Sequence, residues 1–218
     1  MTFFKPQRFN ILPTIVKNIL IINCILFLAT EILNLQGIIN LKELLGLHYW
    51  KSSSFETWQI ISHMFMHGDF THLFFNMFAV WMFGTQLEHL WGPKKFLKYY
   101  LLTGLGAAIL HFMIFHFFEL PNSPLHYQDK MIELHNVVGA SGCLFGLLVG
   151  FGLLFPNTKL FFLLIPFPIK AKYFVIIYGL AELYYGLQNN PYDNVAHFAH
   201  LGGMLFGFMI IKYWQSNK

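Results

Sequence analysis

The sequence predicts an all-α polytopic membrane protein with six transmembrane helices and a first loop lying in the membrane interface. Composition is the first reason. Of the 218 residues, 56% are hydrophobic and 11% are charged, a balance that leaves too few charges for an ordinary soluble domain. Long apolar runs separated by short polar ones are the second reason. The third is the distribution of lysine and arginine between the segments that join those runs.

The spans fall at about 14–35, 71–90, 96–118, 139–156, 171–189 and 195–213. The opening residues to Lys17 carry Lys5, Arg8 and Lys17 but no short apolar core ending in a small-residue cleavage site. The first apolar run therefore reads as a retained helix rather than a signal peptide. The first loop, roughly 36 to 70, carries Leu44, Leu45, Leu47, Tyr49, Trp50, Phe55 and Trp58, as an interfacial structure would. The loop from Glu119 to Val138 contains Pro121, Pro124, Asp129, Lys130 and Glu133 and reads as an exposed connector. Pro156, Pro166 and Pro168 bracket a turn in which Phe161 to Ile165 is too short to cross and is expected at the surface. No internal repeat stands out, and one domain over residues 1–218 accounts for the chain.

With six spans, both termini share a side. That side receives Lys5, Arg8, Lys17, Lys94, Lys95, Lys98, Lys159, Lys170, Lys172, Lys212 and Lys218, while the other receives Lys42, Lys51 and Lys130. This is the positive-inside pattern, and it predicts cytoplasmic termini. The formal net charge of +4 is thus a topology signal and does not argue for nucleic acid. Cys24 and Cys143 both lie in apolar runs and suggest neither a disulfide nor a zinc knuckle.

Polar groups inside the spans need an explanation, because each is costly there without a partner. Ser141 lies roughly 22 Å above Pro156, His200 roughly 18 Å above Lys212, and Asn76 roughly 18 Å above Glu88, at 1.5 Å per helical residue. In a hydrocarbon core about 30 Å thick, all three fall at one level in the outer half. Glycines indicate which helices can meet: Gly142, Gly146 and Gly150 form a ridge on span four, and Gly203 and Gly207 another on span six. Close approach of those ridges puts Ser141 beside His200. An imidazole that takes a hydroxyl proton and returns it to a leaving amine is the minimal apparatus of nucleophilic catalysis. His72, Asn76 and the unpaired amide of Ser141 at a helix start supply donors for an oxyanion.

Each residue also has a structural reading. A membrane serine more often bonds to the preceding turn, a buried histidine is usually a structural hydrogen-bonder, and an asparagine can tie two helices together. His63, His67, His72, His197 and His200 raise the question of metal or haem, but His-x-x-His alone is a weak ligand signal, and neither a metal nor a cofactor is expected. Shared depth and matching ridges favour the catalytic reading of the four together.

Four motifs carry a family resemblance along essentially the whole six-helix length. They are Trp58 in the first loop, His72-Leu73-Phe74-Phe75-Asn76 entering span two, Gly139-Ala140-Ser141-Gly142 opening span four, and Ala199-His200-Leu201-Gly202-Gly203 with Gly207 in span six. In these the chain resembles the rhomboid intramembrane serine proteases. The resemblance implies a dyad of Ser141 as nucleophile and His200 as general base, with His72 and Asn76 stabilising the oxyanion. It also implies transmembrane protein substrates, cut within the lipid bilayer after a small residue near a helix-weakening stretch, and His63 and His67 serving hydration or a hydrogen-bond network. Two positions depart from the pattern: Gln59 stands where the family often has Arg, and Phe145 where it commonly has Tyr packed on the catalytic histidine.

His197 competes with His200 for the base, three residues away on the same helix face. His200 is preferred because Gly203 and Gly207 follow it in the family register, and His197 is expected in a solvated structural role. Glu182 in span five either orients His200 as a third member or stays protonated and bonds to a neighbour, with the second favoured. Two other functions compete: a catalytically silent rhomboid-like protein that binds membrane clients, and a transporter or proton relay built from buried His and Glu, against which stand the unbroken spans and the absence of a repeat. A bare six-helix core fits a bacterial inner membrane better than a mitochondrial one. Oligomeric state is not specified by the sequence.

Overall fold

The computed structural model describes residues 11–162, 165–188, 193 and 195–217. Lys5, Arg8 and Lys218 of the charge pattern, residues 163–164 of the expected surface turn and residue 189 at the end of span five lie outside them.

Helix α1 (Thr14–Leu35) opens with amide groups that no preceding turn can satisfy. The carboxylate of Glu88 caps them from another helix, accepting from Ile15 N at 2.9 Å and Val16 N at 2.8 Å. The stretch expected as span two forms α4 (Phe70–Ala79) and α5 (Thr85–Trp91), joined without a break by a π-helical turn over Val80–Gly84. Asp69 caps α4, its side chain accepting from His72 N at 2.9 Å. At Gly92 the backbone takes a positive φ of 77°, and Pro93 then starts α6 (Pro93–Ile114), which continues as a π-helical turn through Phe115–Glu119. Helices α8 (Ser141–Leu154), α9 (Ala171–Gln188) and α10 (His197–Ser216) complete the bundle.

Among the described residues, two helical stretches, Thr14–Leu35 and Pro93–Glu119, are long and apolar enough to cross a membrane on length and composition alone, against six expected. The reason is local. Helix α8 has 14 residues, α9 carries Lys172 and Glu182, and the second and sixth spans carry the histidines and Asn76 of the site.

Packing centres on α8, in which every residue from Gly142 to Gly152 is buried. Its glycine ridge meets two neighbours. A Cβ on Gly203 would run into the Gly142 carbonyl, and one on Gly207 would lie 3.1 Å from the Gly146 Cα, so α10 docks backbone to backbone. The same ridge also receives α6, since a Cβ on Gly142 or Gly146 would strike Ala107 or Thr103. Glycine spacing alone assigns α10 to this ridge but not α6, although Gly104, Gly106, Ala107 and Ala108 make a run of small residues there.

The loops differ from expectation in two places. The third loop is not a plain connector: it holds α7 (Leu125–Leu134) and a short strand β2 (Asn136–Val137). Strand β2 pairs antiparallel with β1 (Leu47–His48) of the first loop, which also contains the short helices α2 (Leu41–Leu45) and α3 (Gln59–Ser62). The turn between spans four and five is a hairpin of β3 (Lys159–Phe162) and β4 (Ile165–Lys170), with Leu160 buried against the bundle. Backbone groups that an isolated apolar loop would leave unpaired are satisfied across both ladders.

Candidate active site

Strand β2 leads directly into the nucleophile motif. Gly139 takes φ of 135°, a conformation L side chains rarely adopt, and donates from its amide to the His63 carbonyl at 2.9 Å. A Cβ at this position would lie 3.0 Å from His72 Nε2 and 3.5 Å from Ser141 Oγ. Gly139 thus leaves open the space between the His72 ring and the serine hydroxyl. Ser141 then begins α8, so its own amide has no intrahelical acceptor.

One turn along α8, Phe145 shares a face with Ser141. The His200 ring stacks on Phe145 with centroids 4.1 Å apart and planes 11° apart. The aromatic face expected at this position is therefore retained without the hydroxyl. His200 itself is set by the Gly142–Gly203 contact one turn below it. At the start of α8 the structure thus brings Ser141 near the His72 ring across Gly139, and His200 onto Phe145 one turn further along.

The oxyanion candidates are placed on span two. Asn76 is 4% exposed, and its Nδ2 has no hydrogen-bond partner among the described residues. An unpaired buried donor costs free energy unless a ligand uses it. His72 Nδ1 accepts from Gly68 N at 3.4 Å, which leaves Nε2 as the protonated nitrogen on the Gly139 side.

His67 packs edge-on to His72 at 5.0 Å, and neither of its ring nitrogens has a partner among the described residues. His63 Nδ1 is 2.8 Å from the Gln59 carbonyl. Burial holds His63 down to about 4, and burial together with the neighbouring His72 holds His67 down to about 3, so both are neutral at physiological pH.

Gln59, the departure from Arg, holds that loop together. Its Oε1 accepts from His48 N at 3.2 Å and Glu56 N at 3.1 Å, while Nε2 donates to Ser54 O at 3.0 Å and Leu44 O at 3.4 Å. Trp58 Nε1 donates to the same Leu44 carbonyl at 3.1 Å.

Two expectations change. His197 is half-buried and held by two carboxylates: its Nδ1 lies 2.6 Å from Glu182 Oε2 and its Nε2 3.1 Å from Asp193 Oδ2. Glu182 meets His200 as well as this neighbour: its Oε2 also lies 2.8 Å from His200 Nδ1. The Val195 amide, then His197, hold Asp193 below the usual carboxylate range. Glu182, His197 and His200 are also the one group among the described residues able to offer a metal three ligand atoms, all within 4.8 Å of one another. Those atoms already satisfy each other by hydrogen bonds.

A family model described as the Rhomboid domain matches residues 54–216, which include every residue of this cluster. The chain belongs to the rhomboid family. Rhomboid protein 1, mitochondrial, of Saccharomyces cerevisiae is 31% identical over 164 residues, covering 73% of this chain and 42% of that protein. Rhomboid protease AarA of Providencia stuartii is 30% identical over 173 residues, covering 74% of this chain and 57% of its own length. Rhomboid protease GluP of Bacillus subtilis is 29% identical over 153 residues, covering 70% of this chain and 25% of its own. This rhomboid chain therefore spans between a quarter and somewhat over half the length of these relatives. Rhomboid proteins are integral membrane proteins, and α1 precedes the matched region.

Proposed function

We propose that this rhomboid is an intramembrane serine endopeptidase that cleaves transmembrane segments of other membrane proteins. Ser141 attacks the scissile carbonyl while His200 takes the hydroxyl proton and later delivers it to the leaving amine. His72 Nε2, Asn76 Nδ2 and the Ser141 amide donate to the oxyanion. The observation that supports this most is the His200–Phe145 stack beside Ser141, with the unpaired Asn76 donor on the facing helix. The relatives named as proteases share the family, and their activity enters as support rather than as a property of this chain.

The proposal includes a single domain of six spans. A common end for three of the helices is supported by two contacts: Glu88 of α5 against the start of α1, and Trp91 beside Trp214 near the end of α10. Lys94, Lys95, Lys98 and Lys212 gather at that end, which is the cytoplasmic side in this reading. The relatives come from mitochondria as well as bacteria, and the bacterial inner membrane with cytoplasmic termini is part of the proposal. Reporter fusions at each loop test the orientation.

Catalysis is tested with Ser141→Ala and His200→Ala on a transmembrane substrate in liposomes. Both are expected to abolish cleavage and labelling by a serine-reactive fluorophosphonate. Full cleavage by the Ser141→Ala protein would refute the proposal, and substrate binding without cleavage by the unmodified protein would favour a silent client-binding role.

A further inference from the structure

The cluster around His200 extends beyond a dyad. Glu182 sits on α9, is 6% exposed, and directs a single oxygen at two imidazoles of α10. His197 and His200 are three residues apart, so their rings leave the same face of the helix, and Oε2 of Glu182 bridges their Nδ1 atoms. Asp193 closes the outer end of this chain at His197 Nε2.

A carboxylate has no proton to give, so each Nδ1 that it binds must carry one. That assigns the tautomers. His200 with hydrogen on Nδ1 has its lone pair on Nε2, the nitrogen a general base needs. His197 has both ring nitrogens engaged by carboxylates, so it has none with which to accept a serine proton. The choice between the two histidines, which glycine register favours from the sequence, follows here from hydrogen-bond accounting.

The ring is constrained twice. Phe145 holds its face and Glu182 holds its edge, so neither rotation about the ring axis nor a flip of the ring is free. When the Ser141 hydroxyl proton moves to Nε2, the imidazolium that forms has its Nδ1–H already on a carboxylate. In a low-dielectric site such a preorganised partner stabilises the developing charge. The proton later leaves from Nε2 to the amine, and Glu182 holds no proton at any step.

We propose that Glu182 is a positioning residue for His200, converting the Ser141–His200 pair into a Ser–His–Glu arrangement, with His197 and Asp193 anchoring the carboxylate from the outer side. This rests on the reading of Ser141 and His200 as nucleophile and base.

The test compares Glu182→Gln and Glu182→Asp with the unmodified protein in liposomes, reading kcat and KM separately. An amide can turn its NH2 toward Nδ1 and select the wrong tautomer, and the corresponding carboxylate-to-amide change in a soluble triad lowers kcat about 10⁴-fold. Glu182→Gln is expected to lower kcat by about 10² to 10⁴-fold with KM unchanged, and to slow fluorophosphonate labelling in parallel. Glu182→Asp, which retains the charge, recovers at least about tenfold of the loss. The ¹⁵N spectrum of histidine-labelled protein reads the tautomer directly, and His200 is expected with hydrogen on Nδ1 in the unmodified protein. A folded Glu182→Gln protein with kcat within about threefold of normal overturns the proposal, as does an Nε2–H tautomer for His200 in the unmodified protein. The spectrum keeps the test open if the Gln variant does not fold. Activity surviving in Ser141→Ala or His200→Ala would instead overturn the dyad itself, so the two failures are distinguishable.

Discussion

The two ends of this bundle, inner and outer in the proposed orientation, use polar groups differently. At the inner end they are tied into structural contacts: Glu88 caps α1, Tyr99 donates to the Gly146 carbonyl at 2.7 Å, and Lys95 lies over the Trp214 ring at 4.3 Å. At the outer end, Asn76 Nδ2 and both nitrogens of His67 are buried without a partner among the described residues. The same helices run through both ends. Asn23 Oδ1 and Tyr100 Oη are likewise without a partner among the described residues, so unspent hydrogen-bonding capacity supports a site only where it lies near the proposed dyad.

The seam that joins the ends gives the largest expected effect. Gly203→Leu forces a side chain into the Gly142 carbonyl, where backbone rather than a flexible side chain must yield. A loss of about 3 kcal/mol or more is expected, with cleavage lost as well, measured by thermal unfolding in detergent and by substrate turnover. A folded, active Gly203→Leu protein would mean that α8 and α10 do not meet at this contact.

Next in size is Asn76→Ala at the outer end. Because Nδ2 has no partner among the described residues, unfolding should be nearly unaffected while kcat falls about 10²–10³-fold, as for loss of an oxyanion donor. A stability loss with normal turnover would move Asn76 to the structural class of the inner end.

Glu88→Gln reverses that pattern. It weakens the cap on Ile15 and Val16 and is expected to cost about 1–2 kcal/mol in unfolding with turnover unchanged. Equal loss of activity would show that the ends are coupled more tightly than their separate hydrogen bonds indicate.

The smallest effect concerns the clamp of the first loop on α7. Ser53, then Ser52, donate to the Glu133 carboxylate and hold it below the usual carboxylate range. A depressed folded value means that the clamp contributes above the ordinary carboxylate range and is lost as pH falls through the folded one. Faster hydrogen exchange in α7 is expected under acid conditions, and Glu133→Gln should show that faster exchange already at neutral pH.

Much of the bundle is legible along the chain. Hydropathy and glycine spacing are local or periodic, so they reveal the helices, the ridges on α8 and α10 and the depth of Ser141, His200 and Asn76. Gly139, too, reads as an opening beside the oxyanion donors, and its positive φ is the reason. The third loop is not legible in this way, because α7 and β2 depend on a partner strand some ninety residues earlier.

By itself, the sequence nominates the candidate residues and the level expected of each, since rise per residue and apolar length are properties of each helix alone. Only the tertiary structure decided the partners of Glu182, the two carboxylates on His197, the hydrogen bonds of Gln59 and the presence of α6 on the glycine ridge. Each depends on which face of one helix meets which face of another. A buried carboxyl is equally compatible, in sequence, with a proton of its own or with a cation opposite. Two imidazoles within 2.8 Å settle its partners here, and no spacing along α9 encodes them.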